Sequence, residues 1–401
     1  MPTVTRSSPS RAGSIVPLLA ISLLVIMGGV ALVVDRIWID AARVELLAAA
    51  ESAALAGARE LAGDDLLRPG ASVDQRIAAA ESTASQIAAL NRVAGQTVSL
   101  QTGEDGDVRV GQMVAANNGQ NQFLETKRNP TCVFVQARLT RDRGNPVALL
   151  FRELTGQPAA ELAIVATAAV DNRVVGVQPR EGFAVPAYPL GILALDPTGQ
   201  RPDTWQVQVE NRLGLDLFGY DISSHSVTPG PDGIPEILLT GLDPTGQKKP
   251  NVCLIDVGNG LGSGNIARQI AGGLTVDDFQ AVGGQLLLPG SPVTRPATTI
   301  IDGTAAKALA NMAGECRICL LYRETAPGSG AVGVAPAICT GIVAGRVMQV
   351  TAAPGAPTLI VFQPGVAATR TALLDSSTSG SPPGGPGGQR NKYLYKISLA
   401  Q

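Results

Sequence analysis

One histidine and five cysteines bound the chemistry this 401-residue chain can do. His225 closes the run Asp221-Ile222-Ser223-Ser224-His225, which holds the three residue types of a hydrolytic triad. A triad draws its groups from separate elements, and near neighbours in one polar loop cannot reach that geometry among themselves. No G-x-S-x-G elbow occurs, so the run reads as a surface turn. Cys316-Arg317-Ile318-Cys319 has the C-x-x-C spacing of redox proteins, where the motif opens a helix whose N-terminus lowers the first thiol's pKa. Here it starts an apolar run, CRICLLYR, that reads as a buried strand, and residues three apart on a strand face opposite ways. With Cys132, Cys253 and Cys339 the count is odd, so an oxidising compartment would leave at least one thiol unpaired. Metal ligation is poorly served: there is no second C-x-x-C, and the one histidine is distant in sequence.

Two further stretches carry chemistry-bearing spacing. Gly258-Asn259-Gly260-Leu261-Gly262-Ser263-Gly264 lies between an apolar strand and a helix, where a phosphate loop would sit. It lacks the Walker lysine, and Ser263 breaks the G-x-G-x-x-G register. Thr228 to Glu236 (TPGPDGIPE) has too few acids for a calcium cage. The expectation is no catalytic, no cofactor-binding and no metal-ligating residue, hence no cofactor and no enzyme.

The elements around these motifs begin with Ile15 to Val34, twenty residues without a charge. At about 1.5 Å per residue such a helix reaches about 30 Å, the thickness of a bilayer's hydrocarbon core. Asp35 and Arg36 end the run, and helix-forming sequence continues to Leu61 without proline. A cleaved secretory signal has a shorter apolar core and a small-residue exit; Val33-Val34-Asp35-Arg36 is a poor cleavage site, so a retained anchor is expected. Arg6 and Arg11 precede the span and Arg36 and Arg43 follow it, so the positive-inside difference is marginal; the long C-terminal part reads as an exported domain, and the N-terminus is therefore expected inside. Beyond the span, Ile37, Ala41, Val44, Ala48, Ser52 and Leu55 recur at spacings of three and four as one narrow face. Packing on the chain's own body and packing against other helices are both open for it. Arg36–Asp40 and Asp40–Arg43 are spaced to pair.

This stretch resembles the N-terminal module of TadE/TadG-like proteins of the tight-adherence (Flp, type IVb) pilus systems. The carriers are Gly13, the span Ile15 to Val34, the closing Asp35 and the run Ala48-Ala49-Ala50-Glu51-Ser52-Ala53-Ala54-Leu55-Ala56-Gly57-Ala58, with Glu51 where the family usually has aspartate. The resemblance extends more weakly through Gly144-Asn145-Pro146-Val147-Ala148-Leu149-Leu150-Phe151-Arg152-Glu153-Leu154-Thr155-Gly156 to about residue 171. It implies a role in pilus assembly, with the bilayer and other pilus-assembly membrane proteins as partners. Type IV pilins carry glutamate at the fifth mature position; a cut after Gly13 would put Leu18 there, so a permanent anchor fits better than a polymerising pilin. Many TadG-like proteins add a von Willebrand type A domain with a D-x-S-x-S metal site. Asp375-Ser376-Ser377-Thr378-Ser379 matches literally but runs into Ser-Gly-Ser-Pro-Pro-Gly-Gly rather than a helix, and Asp221-Ile222-Ser223-Ser224 fails at His225.

Composition agrees with a non-enzymatic envelope protein. Charged residues are 16% and the net charge is −2, which argues against nucleic acid. Aromatics are 3%, too few for a carbohydrate platform, and no small-molecule substrate is indicated.

The expected fold class is α+β: an N-terminal transmembrane helix continuing into an extracytoplasmic rod, then a β-rich ectodomain. The expected division is 1–14 cytoplasmic tail, 15–62 transmembrane and membrane-proximal helix, 63–175 α+β TadG-like region, and 176–401 β-rich domain with a low-complexity loop at 376–389. Ser72 and Gln75 form a capping box for a helix from Val73 to about Val93. Strands are expected at Thr97 to Gln101, Asp107 to Val114, Cys132 to Thr140 and Ala163 to Val170. Ala116 to Pro130 reads as a polar loop, and a short helix as running from Pro146 to Leu154. The repeats Leu195-Asp196-Pro197-Thr198-Gly199-Gln200 and Leu242-Asp243-Pro244-Thr245-Gly246-Gln247 are turn signals, read as two hairpins leading to strands Trp205 to Glu210 and Asn251 to Val257. Helices follow around Asn265 to Ala271, Val276 to Val282 and Thr304 to Ala313. Strands are then expected at Arg317 to Tyr322, Ile338 to Val343, Arg346 to Val350 and Thr358 to Phe362, and the alternating Tyr393 to Leu399 returns to a sheet. The reading is a single-pass inner-membrane protein of Flp pilus assembly, acting through helix packing and ectodomain contacts. The alternative is a membrane-tethered cell-envelope or adhesion β-domain.

Overall fold

The computed structural model describes residues 15–103, 105–116, 121–222, 224–288, 290–324, 334–378, 381–383 and 388–400. The expected tail 1–14, Ser223 of the histidine run, Ser379 of the D-x-S-x-S run and part of the 376–389 loop lie outside them. The architecture is α+β, with a long apolar N-terminal helix followed by a region of several sheets.

Helix α1 (Val16–Glu60) is unbroken over 45 residues, roughly 68 Å at 1.5 Å per residue. Pro17 sits in its first turn, where no amide partner is lost. The helix changes surface along its length. An 18-residue window has mean hydropathy 2.6, and only 6% of it is buried, so the first half is a candidate membrane span. From Asp35 onward one face goes inside: Ala42, Leu46, Ala49, Ala50, Ala53, Ala54, Gly57 and Ala58 are all buried. After the turn Asp64–Leu67, α2 (Val73–Ala89) folds back beside α1. Ser72 caps it by accepting the Gln75 amide, the Ser72 half of the expected capping box; the helix stops before the expected Val93, because Arg92–Val93 pairs with Gln96–Thr97.

The strands of the two large sheets are, in chain order, β1 (Val108–Ala115), β2 (Asn121–Glu125), β3 (Cys132–Leu139), β4 (Leu162–Asp171), β5 (Ala187–Leu193), β6 (Ile237–Thr240), β7 (Val252–Ile255), β8 (Val293–Thr298), β9 (Cys316–Glu324), β10 (Val334–Thr351), β11 (Leu359–Pro364), β12 (Ala367–Thr369) and β13 (Leu394–Ala400). The first sheet has the order β12-β13-β4-β3-β1-β2. Its central strands alternate, and Val133, Val135, Ala137, Leu139, Ala166, Ala168 and Val170 share one core with the alanine face of α1 and with Ile77, Ala80, Ala84 and Ala88 of α2. Small residues on the helix let it lie close to the pleat. The last strand, β13, returns to this sheet antiparallel to β4.

In the second sheet β9 pairs in parallel with β5 and antiparallel with β10. Since β5, β7, β8 and β10 are also paired in series, five strands close into a ring. Closure removes exposed sheet edges. The far end of β10 leaves the ring to carry β11 and β6. Helices α3 (Ser263–Gly272) and α4 (Gly303–Asn311) pack on each other and on the ring. Asp64, in the turn after α1, joins the two parts: it pairs with Arg346 of β10 and accepts the Val366 amide at 2.6 Å, while Arg346 lies over the Tyr220 ring.

Several local expectations are corrected. Within the expected polar loop, Asn121–Glu125 is a strand, paired with β1 through Phe123 and its neighbours. Pro146 does not begin a helix: Val147–Ala148 is a strand and the helix is only Arg152–Thr155. The repeats at Asp196 and Asp243 do not make hairpins. Trp205 leads a helical segment, Gln206–Glu210, that buries Trp205 and Val209 one turn apart. Moreover β6 pairs with β11 rather than with β7. Each repeat aspartate instead organises its own turn, Asp196 accepting from Thr198, Gln200 and Arg201, and Asp243 from Thr245 and Lys248. Finally, β10 is one strand where two were expected.

Candidate functional site

The residues with recognisable chemistry do not converge. His225 sits at φ 50° in the exposed turn between Phe218–Asp221 and Ser226–Pro229, its Nδ1 3.4 Å from the Tyr220 hydroxyl. Ser224 spends its hydroxyl on Asp221 at 2.8 Å, within the same turn. The five cysteines are free thiols. Burial pushes Cys132 and Cys316 up to about 12 and Cys339 up to about 11, so at neutral pH they remain protonated and weakly nucleophilic. The glycine-rich loop turns its carbonyls inward: Gly258 and Gly260 accept from Asn265, and Gly258 also from Gln269. A phosphate cradle offers amides instead. Gly258 is required because a Cβ there would fall 2.0 Å from the Asp278 carbonyl oxygen. In the Thr228 to Glu236 stretch the carboxylates are engaged by protein donors, Asp232 by the Ile234 amide and Arg68, Glu236 by the Leu217 and Phe218 amides. Among the described residues no group of three or more His, Cys, Asp or Glu is arranged to hold a metal ion.

What the fold does assemble is a junction at the base of the apolar run. Asp35, the first residue after it, is 4% exposed. Its Oδ1 accepts two consecutive amides, Leu150 at 2.9 Å and Phe151 at 3.2 Å. One turn on, Trp38 Nε1 donates to the Ala148 carbonyl at 3.1 Å. Two turns further, Glu45 accepts the Ala94 amide at 3.0 Å. Ala94 and Gly95 both take positive φ, 48° and 81°, between Arg92–Val93 and Gln96–Thr97, the backbone of a tight hairpin turn. Gln96 then donates to the Pro146 carbonyl at 3.2 Å. Thus Asp35, Trp38 and Glu45 fasten two separate loops of the body to one side of α1. A buried carboxylate is costly unless hydrogen-bonded; here the two amides satisfy Oδ1, while Oδ2, also buried, has no hydrogen-bond partner among the described residues.

The sequence singled out Asp35 and the Gly144 to Gly156 stretch separately, and the fold brings them together. Trp38 and Glu45 gave no sequence signal, since each is an ordinary helix residue until its partner loop is known. The expected face of Ile37, Ala41, Val44, Ala48, Ser52 and Leu55 is for the most part not the one the body covers: the first five are exposed, and only Leu55, half-buried, packs against the core. The helix does pack on its own body, but through the faces of Ala42, Leu46, Ala49 and Ala53. Arg36 pairs with Asp40 on the open side at 3.2 Å, as its spacing implied.

Replacing Asp35 with alanine is expected to release the 148–156 segment. Hydrogen bonds to a charged acceptor contribute about 1.5–3 kcal/mol, and about 1.4 kcal/mol is tenfold in an equilibrium. Amide exchange at Leu150 and Phe151 should therefore quicken roughly tenfold or more while exchange in β7 and β8 stays unchanged. Unaltered exchange at both amides would show that Asp35 is not their holder.

These features define an α+β protein whose body is clamped to a long helix with a candidate membrane span at its start. Residues 13–60, of which 16–60 form that helix, match the family described as putative Flp pilus-assembly TadE/G-like. No curated protein gives a significant match to the chain, and neither does any solved structure.

Proposed function

We propose that this protein is a membrane-anchored, non-enzymatic component of Flp (tight-adherence) pilus assembly. In this reading α1 crosses the inner membrane with its N-terminus in the cytoplasm, and the body stands on the outer side. It works by helix packing and by contacts of the body with other pilus-assembly proteins. The carrying observation is that residues 16–60 of the stretch matching the TadE/G-like family form one unbroken helix with two kinds of surface. Its first half is apolar and uncovered; its second half is covered on one face only. The open face, Ile37, Ala41, Val44, Ala48 and Ser52, continues from the span, and small residues on it allow close approach of another helix. The non-enzymatic reading is supported by where these groups sit: His225 in an exposed turn, the thiols held protonated by burial, and the glycine-loop carbonyls bonded to Asn265 and Gln269.

The test is co-purification from native membranes of the full-length protein and its Ala41→Leu/Ala48→Leu variant. Wild type is expected to retain pilus ATPase or platform proteins. The variant should lose them several-fold with an unchanged melting temperature, since both positions are exposed. Equal recovery with the variant would overturn the helix-packing mechanism. If wild type retained no pilus component but bound envelope polymer or surfaces, the tethered adhesion reading would replace it.

A further inference from the structure

We infer that the segment Leu149 to Gly156 is a second membrane contact, a foot that lies in the bilayer interface beside α1. The inference rests on reading α1 as the anchor, but on neither its orientation nor its pilus partners. In the short strand Val147–Ala148 and the residues after it, side chains alternate: Val147 and Leu149 are buried, while Leu150 is 57% exposed. Phe151 is 39% and Leu154 47% exposed. Three large apolar side chains within five residues therefore face away from the core. Their height is fixed by geometry. The amides of Leu150 and Phe151 bond to Asp35, and Asp35 directly follows Val34, the last residue of the uncharged run. The patch thus lies at the level where the span leaves hydrocarbon. The occupant that matches is lipid, because the patch sits beside the end of the span, its short helix packing against α1, and the two charges between its apolar residues, Arg152 and Glu153, are exposed and paired with each other.

The foot explains why Asp35 is buried under a loop. A carboxylate at the hydrocarbon boundary needs donors, and a loop that supplies two amides on one side can present leucine and phenylalanine on the other. It also gives the helix a fixed rotation and tilt, since interfacial side chains beside a span are what set these. The body would then stand on two points, the helix and the foot, rather than swing on one.

The test places a tryptophan reporter in the full-length protein reconstituted in phosphatidylcholine vesicles, with and without acyl-chain-brominated lipid as quencher. Leu154→Trp reports the foot, Ile26→Trp the span and Leu213→Trp a remote exposed site; emission is read as the increment over the parent protein. The expected result is loss of most of the added emission for Leu154→Trp and for Ile26→Trp, and no loss for Leu213→Trp. Quenching of Ile26→Trp without quenching of Leu154→Trp would overturn the foot while leaving the anchor standing. No quenching at Ile26→Trp would overturn the anchor and the foot with it. Quenching at all three positions would mean that the body lies on the bilayer without a defined foot, which also overturns the inference.

Discussion

Asparagine in place of Asp107 is expected to lower stability by about 3–5 kcal/mol, the usual effect of breaking one side of a buried ion pair. Asp107 is fully buried and sits among five donor contacts. Oδ1 accepts Arg138 Nε at 3.0 Å and Nη2 at 2.6 Å, and Arg143 Nη2 at 2.9 Å; Oδ2 accepts Arg143 Nη1 at 2.6 Å and the Gln101 amide at 2.9 Å. An asparagine would keep one acceptor oxygen but turn an NH2 group toward the guanidinium groups, leaving two arginines undercompensated. Arg143 opens the loop that runs through Gly144 and Asn145 to the segment held by Asp35, so the damage should spread toward the base of α1. A thermal melt of the full-length protein in detergent checks the magnitude, and a shift on the order of 10 °C is expected. A melt within error of wild type would mean that the arginines find other partners.

The pH dependence gives a second, independent reading of the same site. Burial alone would raise the Asp107 pKa, but the bonds from Arg143, Gln101 and Arg138 outweigh it and hold the carboxyl below its ordinary value. A depressed folded pKa stabilises fully above the unfolded value, about 3.9, and that contribution is lost as pH falls through the folded one. The gap between wild type and Asp107→Asn should therefore be full at pH 7 and narrow below about pH 4. A gap that stays constant into acid would show that the carboxylate's charge is not what matters.

The parts of this fold that could be read in sequence are those whose signals are local. An uncharged run, a serine before a helix and a clean alternation such as Tyr393 to Leu399 report their own backbone directly. The misread parts depend on a distant partner. Ala344 and Gly345 fell between the two expected strands, Ile338 to Val343 and Arg346 to Val350, which the fold makes the one strand β10. In the fold Gly345 is a close approach: a Cβ there would fall 2.4 Å from the Phe362 ring and 2.3 Å from the Gln363 carbonyl oxygen. The alternation Trp205-Gln206-Val207-Gln208-Val209 fits a strand, but it also sets Trp205 and Val209 four apart, and the Phe362 and Tyr393 rings beside Trp205 select the helical option. The same holds for α1. Between Ala48 and Ala58 almost every face is apolar, so periodicity cannot choose one; the sheet chooses, and it leaves open the face that the spacing had picked out. The junction at Asp35 was half legible, since the aspartate and its partner loop each stood out while their 115-residue separation hid the bond.

Gly57 puts that choice of face to the test, because α2 and β3 approach it closely and its substitution should be costly. A Cβ on Gly57 would meet the Ala80 carbonyl oxygen at 2.9 Å, the Ala84 Cβ at 3.1 Å and the Val133 Cγ1 at 3.3 Å. One neighbour is helix backbone, another belongs to the adjacent strand, and neither can swing aside as a flexible side chain would. Gly57→Leu gains about 1 kcal/mol of helix propensity but must place four carbons where none fits. Overpacking usually costs about 1–3 kcal/mol, and this site, closed on two sides, belongs at or above the top of that range. The expected net loss is about 2 kcal/mol or more, with α1 pried from α2 and from β3 together. Gly57→Ala should cost less than Gly57→Leu, since about 1 kcal/mol of helix propensity offsets part of the clash of its single Cβ with the Ala80 carbonyl oxygen. Gly28→Leu, in the uncovered half, meets nothing within 4 Å and should leave the melt of the body unchanged. Melting curves and protease sensitivity of the connection between α1 and α2 distinguish the three. If Gly57→Leu melts like Gly28→Leu, then α1 is not seated on the sheet through its alanine face, and the open face beside Ile37 and Val44 loses its claim to be the one left for other helices.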